Sequence, residues 1–298
     1  MTSTLAPPRY WLTWLGVGVM WLVSRLPLRV QFALGRAIGA VGHRFARARR
    51  HIANTNIALC FPELDAGARD ALVREIFAST GIGAVETAIA WFGDVTRLRE
   101  RVTFEGLDAL TTAQQRGRGV MLIGAHFSTL DLAGALLSQA TDLDVIYRYN
   151  KNPVIEWAMR HGRERRFKGV IERSDTRTVL TRLKGGHTIW YAADQDYGRK
   201  VSVFAPFFGV SAATITAASR FARFNSSPAI FISHFRDEAK QTWSLHFREV
   251  DEFTGADEIE DARRINAVIE REIRRHPDQY LWLHRRFKTR PVGEERPY

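Results

Sequence analysis

An α/β fold is what this sequence predicts, with a mixed, partly parallel sheet flanked by helices. Two observations carry that reading. Apolar runs of strand length occur at Val120 to Ala125, Leu143 to Tyr147, Thr188 to Ala193 and Ala229 to Phe235, and the first and third are almost continuously apolar, as strands covered on both faces are. Amphipathic segments near 129–139, 153–167, 175–184 and 212–224 separate them. Strands alternating with helices build an open sandwich, whose ligands collect beyond the carboxyl ends of its strands. A further helix is expected over 66–92, ending near Phe92-Gly93, and the last ten residues read as a loose tail.

The first part of the chain has a different character. The 298 residues carry a net charge of +11, yet positions 1 to 62 contain no Asp or Glu and hold eight arginines (Arg9, Arg25, Arg29, Arg36, Arg44, Arg47, Arg49, Arg50). A charge excess confined to one segment points to a polyanionic surface that it touches, a phosphate-rich membrane face or a nucleic acid. The uncharged stretch Tyr10 to Val23 favours the membrane, because Trp11, Trp14 and Trp21 fall within about 80° on a helix and tryptophans gather at bilayer interfaces. That stretch is shorter than the roughly 20 residues a crossing needs, although counting back to Leu5 makes a tilted span conceivable. After Pro27, Arg29, Arg36, Arg44, Arg47 and Arg50 lie within about a 120° arc of a helix, opposite Phe32, Val41 and Phe45, a pattern suited to an anionic surface or to a solvated helix face. Only Arg9 precedes the apolar run and no small-residue cleavage site follows, which argues against a signal peptide, and the tryptophan-dense core argues against a transit peptide. Cys60 is the single cysteine, so no intrachain disulfide forms. The expected organisation is an N-terminal membrane anchor with a basic amphipathic helix over 1–50, followed by an α/β domain over 51–298.

Four constellations can carry chemistry. Gly124-Ala125-His126-Phe127-Ser128-Thr129-Leu130-Asp131 directly follows an apolar strand. His126 in the turn and Asp131 in the first turn of the next helix can meet; the carboxylate then accepts one imidazole N–H and leaves the other nitrogen free as a general base. A histidine at a strand end with an ordinary capping acid reads equally well. The second constellation is Arg148 with Arg160, Arg163, Arg165, Arg166 and Lys168, where converging guanidinium groups can hold phosphate, or simply form a solvated helix face. The third is Asp194-Gln195-Asp196 at the end of another apolar strand: two carboxylates that can hold a divalent metal, orient arginines or close a turn through Gly198. The fourth, Leu281 to Arg290, mixes aromatic and basic side chains that suit lipid headgroups or stacked bases. No helix-turn-helix, RNP or zinc spacing accompanies it, and no Gly-x-Ser-x-Gly elbow signals a covalent acyl-enzyme. A metal-dependent membrane glycosyltransferase using Asp194 and Asp196 is one rival reading, and a non-catalytic basic protein that binds membrane or nucleic acid is another.

Taken together, these residues resemble the lipid A biosynthesis acyltransferases of the lauroyl and palmitoleoyl type. The likeness runs nearly end to end, through Pro8 to Gly16, Leu59-Cys60-Phe61-Pro62-Glu63, the His126 to Asp131 block, Tyr191 to Gly198, Ser202-Val203-Phe204, Pro206-Phe207-Phe208 and Trp282 to Pro291. The His-x4-acid block is shared with glycerolipid acyltransferases in general; the terminal blocks make the assignment narrower. The resemblance implies a glycerolipid-acyltransferase-like fold at the cytoplasmic face of the bacterial inner membrane. It implies an acyl carrier protein thioester as donor, Kdo2-lipid IVA as acceptor and membrane lipids as partners, with no nucleic acid, cofactor or metal. By it the catalytic base falls on His126 and its acid on Asp131. Arg163 and Asp194 fall on further functional positions, Arg163 with Arg148, Arg165 and Arg166 for the acceptor's anionic groups and Asp194 to orient them. One departure is Asp131 itself, where lauroyl-type members often carry Glu.

Overall fold

The computed structural model describes residues 7–298, so Leu5 lies outside the described residues. Strands β1 (Val102–Glu105), β2 (Val120–Gly124), β3 (Asp144–Tyr147), β4 (Gly169–Glu172), β5 (Thr188–Ala192), β8 (Ala229–Asp237) and β9 (Thr242–Glu249) form one sheet, while β6 (Ser202–Phe207) and β7 (Val210–Ile215) form a separate hairpin. The sheet order is β1-β9-β8-β2-β5-β3-β4. Among the described residues its one antiparallel pairing is β8 with β9, so the sheet is mixed and mostly parallel, as expected. Every residue of β2 is buried, consistent with its continuous apolar run and its place at the centre of the sheet.

Helices α1 (Trp11–Val23), α2 (Leu28–Phe45), α3 (Arg47–Cys60), α4 (Ala66–Phe92), α5 (Leu107–Gln115), α6 (Leu130–Leu137), α7 (Pro153–Glu164), α8 (Thr176–Lys184), α9 (Ala217–Asn225) and α10 (Glu258–Arg275) cover it. Several starts follow directly from the sequence. Asp65, Asn152, Asp175 and Asp257 each accept a backbone N–H of the first turn, and α7 also has Pro153 at its first position. The helix expected near 212–224 begins only at Ala217, because Val210–Ile215 pairs with Ser202–Phe207 in the hairpin. Its tight turn holds Phe208 and Gly209 at positive φ, the geometry a two-residue hairpin connection requires.

The basic N-terminal segment is two helices rather than one. Backbone at Ala46 leaves the helical region (φ −83°, ψ 63°), separating Arg29, Arg36 and Arg44 on α2 from Arg47 and Arg50 on α3; residue 50 falls inside α3. The arginines are also not all directed outward to one surface: Arg36 pairs with Glu238 at 2.5 Å and with Glu75, and Arg50 donates to the His43 carbonyl. Phe32 is buried, while Val41 and Phe45 are exposed. Helix α2 lies on α4 with backbones in contact, since a Cβ at Gly81 would stand 2.1 Å from the Gly35 carbonyl oxygen and one at Gly39 2.3 Å from that of Phe77. Helix α1 has 13 residues, and no helix among the described residues is long and apolar enough to cross a membrane. Trp14 packs against Trp157 at 5.1 Å, whereas Trp11 and Trp21 stay exposed, so the three tryptophans do not act as one set.

Much of the C-terminal run is core, although Arg285 and Lys288 stay exposed. Trp282, Arg286 and Phe287 are almost fully buried, and the Arg286 guanidinium donates to the Ala213 carbonyl and to Thr214. The expected loose tail is tied back by Tyr298, whose hydroxyl bonds Asn56 and accepts the Phe287 N–H.

Candidate active site

Sheet register explains how the candidate residues meet. Gly124 of β2 sits opposite Ala192 of β5 and Ile232 of β8. Two residues further along the sequence, His126 and Asp194 stand just past the carboxyl ends of β2 and β5, and His234 lies beside them within the longer β8. This is the edge at which open α/β sheets bind ligands.

The His126 ring is held by Asp194. Its Nδ1 lies 2.6 Å from Asp194 Oδ1, and its backbone N–H donates to Asp194 Oδ2 at 2.9 Å. An ionised carboxylate only accepts, so Nδ1 carries the proton and Nε2 is left bare. Burial disfavours a charged His126, but the charge of Asp194 and its hydrogen bond outweigh it, and the imidazole pKa is raised; Asp131 adds to the rise and Arg163 opposes it. Burial likewise works against the Asp194 anion, but His126 reverses this by charge and hydrogen bonding, helped by a bond from the Tyr280 hydroxyl, and the carboxyl falls to about 2. On the other flank His234 is fully buried, its pKa pushed down to about 3 by burial and by the neighbouring His126, so it stays neutral. Its Nδ1 is 2.6 Å from the Thr129 hydroxyl.

The bond expected between His126 and Asp131 is therefore made by Asp194 instead. Asp131 is in the first turn of α6 and faces α7, where Arg163 donates to it from Nη2 at 2.7 Å and from Nε at 3.1 Å, joined by the Trp91 indole N–H. The arrangement is two acid pairs rather than one: Asp194 with the imidazole, Asp131 with the guanidinium. Asp194 does not orient the arginine set, and Asp131 does not orient the ring.

One cavity of about 670 Å³ is lined by His126 and by both members of the Asp131–Arg163 pair, with Arg148. It also takes in Arg173 and Arg220, which sequence reading missed; Arg173 stands over the Tyr197 ring at 5.1 Å, and Arg220 is paired with Glu258. The cavity does not collect the whole expected arginine group. Arg166 turns away to the Ala90 and Gly93 carbonyls at the end of α4, and Arg165 borders a different notch with Trp14, Trp21 and Arg25. Asp196 is committed to the fold, accepting from Gly198 N–H and from the backbone and hydroxyl of Thr289. Among the described residues no group of three or more His, Cys, Asp or Glu side chains is arranged to hold a metal ion. Cys60 is buried, its thiol pKa raised by that burial.

The His126 imidazole thus stands at a largely apolar cavity. Residues 2–289 match the bacterial lipid A biosynthesis acyltransferase family. The chain belongs to that family. It is 42% identical over 292 residues to the lipid A biosynthesis palmitoleoyltransferase of Escherichia coli K12, covering 98% of this chain and 95% of the relative. The lauroyltransferase of the same organism is 38% identical, covering 98% and 96% respectively, and its myristoyltransferase is 28% identical, covering 98% and 91%. The protein is thus an acyltransferase, as the resemblance implied.

Proposed function

We propose that this enzyme transfers a fatty acyl chain from an acyl carrier protein thioester to the hydroxyl of a hydroxyacyl chain on Kdo2-lipid IVA, at the cytoplasmic face of the bacterial inner membrane. The observation that carries the reading is the His126 ring, tied through Nδ1 to Asp194 and bordering the large cavity. As the acceptor oxygen attacks the thioester carbonyl, Nε2 of His126 takes the hydroxyl proton. The tetrahedral adduct then collapses with cleavage of the C–S bond, and the imidazolium returns the proton to the departing sulfur. Asp194 stabilises the imidazolium during that interval and fixes its tautomer. Arg148 and Arg163, with Arg173, supply positive charge along the cavity for the acceptor's phosphate and carboxylate groups.

Membrane attachment rests on the N-terminal helices. Val30, Ile38, Val41 and Phe45 of α2 are exposed and lie within about 80° of one another on the helix, away from the glycine face that meets α4. Trp11, Leu12, Leu15 and Leu22 of α1 are exposed as well. An apolar surface of this kind beside an arginine-rich, acid-free segment fits a helix pair lying in an anionic interface, anchoring without crossing.

The decisive experiment incubates the purified protein with Kdo2-lipid IVA and a panel of acyl carrier protein thioesters, read by mass spectrometry. One acyl mass is expected to add to the acceptor, and His126→Ala is expected to abolish the addition. Transfer that persists in His126→Ala, or no transfer from any thioester by the parent enzyme, refutes the reading.

A further inference from the structure

Strands β3 and β5 pair only through Asp144 with Ile189 and Val145 with Trp190 before they separate. The cavity occupies the opening, so that the consecutive residues Trp190 and Tyr191, which point to opposite faces of the sheet, both line it. It therefore has two arms. On the Tyr191 face the lining includes the polar groups Gln195, Arg173 and Arg220. On the Trp190 face it is mainly apolar, formed by Leu130 and Gly134 of α6, Val145, Met159, Phe167 and Trp190, with the Asp131–Arg163 pair and the buried, unpartnered Trp190 indole N–H as its polar groups. An alkyl chain in the second arm meets mostly apolar side chains, whereas in the first it would desolvate Gln195, Arg173 and Arg220.

Gly134 stands inside the eight-residue helix α6, where glycine is unfavourable relative to alanine. The cavity supplies a reason for it. A Cβ at position 134 would be 3.0 Å from Phe167 Cζ and 3.4 Å from Trp190 Cζ3, so any side chain there would push into the arm or displace the rings that close it. Resting on the acyl transfer argued above, we propose that the Trp190-face arm holds the chain being transferred and that Gly134, closed over by Phe167 and Trp190, sets how long that chain can be.

The test uses the full-length enzyme with acyl carrier protein thioesters differing by two carbons, measuring kcat/KM for each. Gly134→Ala is expected to shift preference toward shorter chains, by about 10-fold or more in the ratio of neighbouring lengths, the scale of discrimination that one or two methylenes give in an apolar pocket. Phe167→Ala is expected to shift it the other way. Retained turnover of the short donors by Gly134→Ala serves as the control for folding. Equal losses on every donor in both variants, or an unchanged length profile, overturn the assignment. So does a profile that moves with Ile215→Phe, in the other arm, and not with Gly134→Ala. A parent enzyme that transfers from no thioester sinks the acyl-transfer reading itself, whereas active variants with the parent's length profile sink only the role of Gly134.

Discussion

Asp194 grips His126 twice, once through the backbone N–H at 2.9 Å and once through ring Nδ1 at 2.6 Å, using a different carboxylate oxygen for each. The first bond fixes where the turn after β2 sits; the second fixes which imidazole nitrogen is bare. Replacing Asp194 with Asn keeps the shape and removes the charge that supports the imidazolium. Asp194→Asn is expected to lower kcat by about 10²–10⁴-fold with the fold intact by circular dichroism, the range spanned by general-base contributions. A loss below 10-fold would assign the orienting role elsewhere.

The same pair predicts a pH dependence. His126 works as a base only when neutral and its pKa is raised, so kcat/KM should climb with pH through a midpoint above the ordinary imidazole value of about 6.5. Stability runs the other way. The raised pKa favours the folded protein below about 6.5, and this contribution disappears as pH rises through the folded value. Asp194, held at about 2, adds stability above its unfolded pKa of about 3.9 that is lost as pH falls through the folded value. A rate profile flat between pH 5 and about 8 would contradict the assignment of His126 as base.

What the sequence disclosed follows from the range of each interaction. His126 was legible because a continuous apolar run delivers it to a strand end, a local signal. Its partner was not, because Asp194 is 68 positions away and reaches it only through the β2–β5 pairing, with β3 and β4 placed beyond β5 in the sheet. The nearer acid, Asp131, fitted the spacing argument, but α6 turns it toward Arg163. Arg166 and Arg286 read as cations available to anionic ligands because their partners are mostly backbone carbonyls, which leave no trace in composition. The four-residue strands β1 and β4 are too short to show a period, whereas β2 and β5 declared themselves by apolar content alone.

Asp131 and Arg163 should behave as one unit. Each lines the cavity, but their 2.7 Å pair implies that either works partly through the other. In a double-mutant cycle of Asp131→Asn and Arg163→Ala, the combined loss in kcat/KM is expected to fall short of the sum by about 0.5–3 kcal/mol, as for residues in contact. Their opposite effects on the imidazole add a second readout, with Asp131→Asn moving the pH midpoint down and Arg163→Ala moving it up. Strict additivity, or shifts of the same sign, would show that the pair is not coupled as described.

A buried ion pair beneath the site makes a separate prediction about folding. Glu86 of α4 and Arg236 of β8 meet at 2.8 Å with almost no exposure, and Glu86 also accepts from the Trp243 indole at 2.6 Å. Removing one partner leaves an uncompensated charge, so Arg236→Met should cost about 3–5 kcal/mol in denaturant unfolding. Pairing it with Glu86→Gln should recover part of that loss. No recovery in the double variant would mean that packing, and not charge, sets the cost.

Deleting the first 50 residues is a poor test of membrane attachment, since it would strip α2 from α4 and uncover the face where Gly35, Gly39 and Gly81 touch backbone to backbone. Surface substitution separates attachment from folding. Val30, Val41 and Phe45 are 48%, 59% and 74% exposed, so Ser at all three changes little within the folded protein. If these side chains insert partway into an interface, each contributes about 1 kcal/mol of apolar transfer, and partitioning onto anionic vesicles should fall about 100-fold with the melting temperature unchanged. Turnover of a water-dispersed, detergent-solubilised acceptor should be retained, because the exposed face of α2 is remote in sequence and function from the His126–Asp194 pair. Undiminished vesicle binding by the triple variant would place the attachment surface elsewhere on the molecule.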